Sequence, residues 1–329
     1  MTSHSPDIAA PPAAGLLARL ASGKLAVLLV LALLVAVPPL FFPSGFYYRV
    51  GAIVWILAIA TIGLNLLMGF AGQVSLGHAG FLGIGAYAVA LLPSRYGIHG
   101  IAAMVIGAAL SAFIAWVAGR PILRLRGHYL AVATLGFGIL IAMVLTNEQW
   151  LTGGPDGMRV PRLVLFDWPV RGSDTWYWIG GGAMLIAAWL ALNLVDSPTG
   201  RALRAIHDSE VAARVIGVDV ARYKLAAFVI SAVYASVAGS LLAFFDGHIT
   251  PDAAGFLRSV ELVTMVVIGG MGSVVGSVIG TLVIVVLPQT LTFLSDYKHI
   301  MVGAFIMLFM IFLRAGIVPS LAALVRRRG

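Results

Sequence analysis

Residues 260–288 read VELVTMVVIGGMGSVVGSVIGTLVIVVLP, and the length of this apolar run decides how the whole chain is arranged. As one helix rising ~1.5 Å per residue it would reach about 43 Å, well beyond the ~30 Å hydrocarbon core of a bilayer. It must break. The break belongs in Gly269-Gly270-Met271-Gly272-Ser273, because consecutive glycines are poor helix formers and permit a tight turn. Two short helices result. Gly272, Gly276 and Gly280 then recur every fourth residue, a stripe of small side chains that lets another helix backbone come close.

Working outward, further apolar windows run at 25–42, 50–68, 81–93, 101–118, 129–146, 176–195, 225–245 and 300–313. Each reads as a helix, since membrane-barrel strands would alternate polar and apolar residues and irregular backbone facing lipid would leave amides unsatisfied. With 60% hydrophobic and 10% charged residues and a mean hydropathy of +1.01, a water-soluble fold is excluded. The predicted fold is all-α: a polytopic membrane bundle of about ten helices with Gly-rich interrupted spans. Its organisation is a tail at 1–24, a transmembrane body at 25–315 containing a polar loop at 196–224, and a basic tail at 316–329. The 25–42 run lacks a small-residue cleavage site after it and reads as a retained span.

Orientation follows from where Arg and Lys gather beside the spans. Arg120, Arg124 and Arg126 mark one cytoplasmic loop; Arg201, Arg204, Arg214, Arg222 and Lys224 mark another. Arg19 with Lys24, and Arg314 with Arg326, Arg327 and Arg328, place both termini in the cytoplasm. Segment 147–175 mixes Arg159, Arg162 and Arg171 with Glu148, Asp156, Asp167 and Asp174, and span parity places it outside. The formal charge of +8 is dispersed at span ends rather than drawn into a basic stripe, so nucleic acid is not the partner; the lipid bilayer is. Cysteine is absent, which removes disulfides and thiolate metal sites.

Three segments carry functional candidates. In 65–85, Asn65, Gln73, Ser75 and His78 sit among glycines in an apolar region. Polar groups at membrane depth face protein or a water-filled cavity, so they line a pathway or hydrogen-bond neighbouring helices. A metal at His78 is disfavoured, since no second ligand lies at suitable spacing. The second candidate, Glu261, follows Arg258 closely enough to sit at a pathway mouth.

The third is the polar loop 196–224. Ser197 and Pro198 start one short helix, and Asp208 caps a second that runs through Glu210, Ala212 and Ala213 to a left-handed stop at Gly217. Leu203 and Ile206, then Val211 and Val215, form apolar stripes that need a surface, and the mixed charge around them favours a protein over lipid headgroups. A phosphate-cradling loop ending in Gly-Lys-Ser/Thr is missing, because Gly23-Lys24 precedes Leu25. The chain does not hydrolyse ATP, and no Gly-x-Ser-x-Gly or His-Glu-x-x-His motif suggests another enzyme.

Taken together, 63–92 with GLNLLMGFAGQVSLGHAGF, 123–138 with RGHYLAVATLG, the loop 197–217, TGGPDG at 152–157 and the Gly-rich 269–280 resemble the LivM-type permease subunits of branched-chain amino-acid ABC importers. The resemblance spans about 25–315. It implies a bacterial inner-membrane permease without catalytic groups or cofactors of its own, ATP and Mg being held by one or two partner ATPase subunits. It also implies a homologous second permease and an extracytoplasmic solute-binding protein, with 196–224 as the ATPase-coupling loop and Arg204, Asp208, Glu210, Ala212, Ala213 and Gly217 as its contact residues. Similar permeases serve urea or short amides. The loop is similar to the Glu-Ala-Ala-x3-Gly element by which ABC importers dock on the ATPase; here Val211 stands at the glutamate position and Glu210 one place earlier. A rival of another class, a self-contained secondary transporter or channel, would need intramembrane acids, of which Glu261 is the main candidate.

Overall fold

The computed structural model describes residues 23–125, 127–165, 168–290, 316–318 and 320. The expected 300–313 span and most of both tails lie outside them. Helices α1 (Lys24–Ala36), α2 (Gly45–Asn65), α3 (His78–Tyr96), α4 (Gly100–Ile122) and α5 (His128–Asn147) are followed by a short α6 (Gln149–Thr152) and the long α7 (Ser173–Asp196). Then come α8 (Pro198–Asp208), α9 (Glu210–Val215), α10 (Val220–Asp246), α11 (Phe256–Gly269) and α12 (Val274–Thr290). Against the ten or so crossings expected, six helical segments among the described residues are long and apolar enough to span: α1 continued to Phe41, α2 continued to Phe70, α4, α5, α7 and α10.

Burial follows sequence pattern. Helix α2 is apolar all round and has 89% of its spanning window buried, as a helix enclosed by others must be. It packs on α7, α10 and α12, while α10 also packs along α3 and α4. Close approach of α3 and α10 depends on Gly85 and Gly239. A Cβ on Gly85 would lie 1.9 Å from the Ser236 carbonyl oxygen, and one on Gly239 would lie 1.9 Å from that of Leu82. Helices α4 and α5 bury only one side and leave Val105, Phe113, Val132 and Leu140 exposed, the arrangement of helices bordering lipid.

The long run at 260–288 does break where its glycines predict. Helix α11 ends at Gly269, Gly270 and Gly272 take φ of +116° and +77°, and α12 resumes at Val274. At 14 residues, α11 is about 21 Å long, short of the hydrocarbon thickness. Outside the bundle, strand β1 (Met158–Arg159) pairs antiparallel with β4 (His248–Ile249), tying the 148–172 connection to the segment after α10. Strands β2 (Val164–Leu165) and β3 (Trp168–Pro169) form a small hairpin in the same connection.

Candidate functional site

The polar loop is folded, and its two helices are treated differently. Ser197 opens α8 by accepting the Gly200 amide at 3.3 Å, and Pro198 fits the first turn because its missing N–H has no helical partner there. Leu203 and Ile206 are both 2% exposed. Leu203 joins Leu67, Ala71 and Phe228 of the bundle, and Ile206 joins Ala213 and Val220, so this stripe is covered by the chain itself. The predicted cap of the second helix moves by one residue: Asp208 is still the last helical residue of α8, and extended Ser209 accepts the Ala212 amide at 3.3 Å.

On α9 and the residue that follows it, Val211, Val215 and Ile216 are 66%, 82% and 73% exposed. Ala212 is exposed beside them, whereas Ala213 is buried. Gly217 follows at φ +87°, with its amide donating to the Arg214 carbonyl at 3.0 Å. The helix is held in place by charge. Glu210 pairs with Lys224 of α10, whose side chain is 3% exposed, and lies 3.9 Å from Arg214. Arg204 donates to the Val195 carbonyl at 2.6 Å and sits 3.7 Å from Asp196, which also pairs with Lys24 at 3.4 Å. These contacts tie the loop to the ends of α1, α7 and α10.

The loop also meets the first Gly-rich break. Beyond α2 a π turn, Leu66–Phe70, leads into irregular backbone at 71–77 before α3 starts. His207 of α8 rests on Gly72, where a Cβ would lie 3.1 Å from its Nδ1. Gln73 donates from Nε2 to the Ala71 carbonyl at 3.0 Å, and its buried Oε1 has no hydrogen-bond partner among the described residues. Gln73 lines a cavity of about 230 Å³ with His128 and Glu210.

Asn65, Ser75 and His78 are turned to neighbouring helices instead. His78, wholly buried, bonds Ser75 Oγ at 2.9 Å through Nδ1 and Ser231 Oγ of α10 through Nε2. Thr134 of α5 accepts the Leu76 amide at 3.1 Å, and Ser259 of α11 accepts the Ala79 amide at 3.0 Å. Irregular backbone at membrane depth persists when protein groups satisfy it in this way. Asn65 bridges the two breaks: Nδ2 donates to the Ser273 carbonyl at 2.8 Å and Ser277 Oγ at 2.7 Å, while Oδ1 accepts the Gly272 amide at 2.9 Å. Thr61 extends the contact through a 2.8 Å hydroxyl pair with Thr281.

Partners such as Ser231, Thr134, Ser259 and Ser277 were not singled out from sequence. Their signal was a lone polar residue inside an apolar span, which says that a partner exists but not which. Glu261 lies 2.9 Å from Arg258 and lines a cavity of about 180 Å³ beside Pro288 and Gln289. In the glycine stripe, Cβ atoms on Gly276 and Gly280 would lie 2.7 Å from the Gly269 carbonyl oxygen and 1.9 Å from that of Met265, so the stripe packs α12 on α11. Gly272 serves the turn. Among the described residues no group of three His, Asp or Glu could hold a metal.

A continuous bundle with buried breaks and an anchored polar loop is the setting for the comparison with known proteins. The family model described as branched-chain amino acid transport system / permease component matches residues 48–312. The chain belongs to this permease family. Over 320 residues the permease is 32% identical to the high-affinity branched-chain amino acid transport system permease protein LivM of Escherichia coli, covering 90% of this chain and 75% of that protein. It is 28% identical over 286 residues to LivH of Salmonella typhimurium, covering 79% of this chain and 90% of the relative. BraD of Pseudomonas aeruginosa, named likewise, is 28% identical over 283 residues with the same coverage. No solved structure matches. Family membership and the apolar helices make this a multi-pass inner-membrane permease component, and its relatives are transport permease components.

Proposed function

We propose that the permease is one of two homologous membrane subunits of an ABC importer for branched-chain amino acids or related small polar solutes. The substrate class rests on the names of the relatives. That one organism, Salmonella typhimurium, supplies both a LivM and a LivH relative supports a paired second permease. In this reading ATP and Mg are bound by ATPase subunits, a solute-binding protein docks on 147–175, and the chain crosses ten times with both termini cytoplasmic. Asn65, Gln73, Ser75, His78 and Glu261 border the route in other states of the cycle.

The observation that carries the coupling role is the uncovered apolar cluster at α9: Val211, Val215 and the following Ile216 stand exposed on and just beyond a helix that Glu210 fixes to α10. An exposed apolar cluster on an otherwise polar loop fits a protein surface. Reconstitution with the cognate second permease, ATPases and binding protein should give leucine uptake that needs ATP inside the vesicle. Uptake by this chain alone, driven by a proton or sodium gradient, would establish a secondary transporter instead. Ten crossings are checked by single-cysteine labelling in intact cells: a cysteine at Asp156 should react with an impermeant reagent and one at Arg124 should not.

A further inference from the structure

A cavity of about 730 Å³ has no part in the proposed route. It opens between the end of α4 and the start of α10, with α9 along one side. Since α4 and α10 are both spanning helices, a cavity between their ends lies at the level of lipid headgroups. Its charge is unbalanced. Glu210 is taken by Lys224 and Arg214, and Asp219 caps α10 by accepting the Arg222 amide at 3.1 Å. Arg120, Arg124 and Arg222 line the same space with no carboxylate partner among the described residues.

One of these guanidinium groups is already positioned. Arg120 lies 3.7 Å from the centroid of the Trp116 ring, a cation–π contact that orients its remaining donors. Trp116 is 42% exposed, and on the same helix Phe113 and Val117 are 61% and 48% exposed toward lipid. Tryptophan with arginine at a span end is the pattern of a bilayer interface. The cavity therefore has a cationic floor and an apolar lip continuous with the lipid-facing side of α4. Glu210 and Arg214 of α9 line it, whereas the bare apolar Val211, Val215 and Ile216, which carry the proposed ATPase contact, do not.

We infer that this cavity binds the phosphodiester headgroup of an anionic phospholipid, with Arg120, Arg124 and Arg222 on the phosphate and the acyl chains lying along Phe113 and Val117 of α4. Basic pockets between span ends recognise such headgroups through charge-assisted hydrogen bonds, and arginine suits phosphate geometry. The inference needs only membrane embedding, not the identity of the transported solute.

Trp116 is a built-in reporter. Full-length permease, delipidated in a zwitterionic detergent, is titrated with phosphatidylglycerol or phosphatidylcholine carrying brominated acyl chains. Quenching specific to Trp116 is the difference from Trp116→Phe, because the chain has 7 tryptophans. Half-quenching by phosphatidylglycerol should need about tenfold less lipid than by phosphatidylcholine. An Arg120→Gln/Arg124→Gln/Arg222→Gln variant should lose that preference, and the corresponding triple lysine variant should keep most of it. If the glutamine triple does not remain monodisperse, Arg120→Gln alone should reduce the preference. Equal quenching by both lipids, or a preference that survives the glutamine substitutions, overturns the proposal. Competition by millimolar inorganic phosphate at constant ionic strength would mark a soluble-anion site, and loss of quenching on adding the ATPase subunits would mark a protein interface. Either result also overturns it.

Discussion

Helices α8 and α9 are neighbours in one polar loop and carry similar apolar stripes, yet one stripe is closed and the other open. Leu203 packs into the bundle and Ile206 against Ala213 and Val220, whereas Val211, Val215 and Ile216 stand in the open. Amphipathicity records that a helix has a face to cover without recording what covers it. In this loop α8 anchors and α9 presents. The contrast predicts that substitutions of similar size along one short segment divide into those that unfold the chain and those that leave it intact but uncoupled.

The largest effect is expected at the closed stripe. Leu203→Ala removes a side chain enclosed by Leu67, Ala71 and Phe228, and should destabilise the permease by about 2–5 kcal/mol, read as a lower unfolding midpoint in detergent. A midpoint within a degree of the native one would mean that α8 is not an anchor. Next comes Lys224→Met, which removes the buried ammonium from Glu210 while leaving Arg214 beside that carboxylate, and should cost about 1–3 kcal/mol by the same measurement. If restoring charge compensation with Glu210→Leu in that background recovers the midpoint, the pair is what locks α9 to α10.

Gly217→Val tests the join after α9. A β-branched residue at φ +87° should cost about 1–2 kcal/mol, visible in the midpoint, whereas Gly217→Asn should be milder because asparagine tolerates the left-handed region. The smallest effect on stability is expected at Ile216→Ser and Val215→Ser, within about 0.5 kcal/mol for exposed positions. Those same variants should lower ATP-driven uptake in the reconstituted importer by an order of magnitude or so, as loss of an interface anchor would. Native uptake in the double variant would refute α9 as the presenting surface.

Much of this contrast was readable beforehand and some of it was not. The break in 260–288 follows from length against bilayer thickness, and Ser197, Pro198 and Gly217 mark helix ends because their conformational preferences are local. Asp208 misled because Ser209 caps equally well, and the choice between adjacent capping residues depends on where the preceding helix stops. Asn65 and His78 were recognisable as polar groups needing partners. That the partners are Ser273, Ser277 and Ser231, more than 150 positions along the chain, depends on packing that local pattern does not encode.

Asn65 has a mechanical consequence. By gripping Gly272, Ser273 and Ser277 at once, one amide pins the foot of α2 to the bend between α11 and α12. With Gly69 and Gly272 in backbone contact beside it, there is no room for the two parts to slide. A rigid-body tilt of α2 that kept these bonds would carry the α11–α12 elbow with it, and His207 against Gly72 sets the polar loop beside the same join.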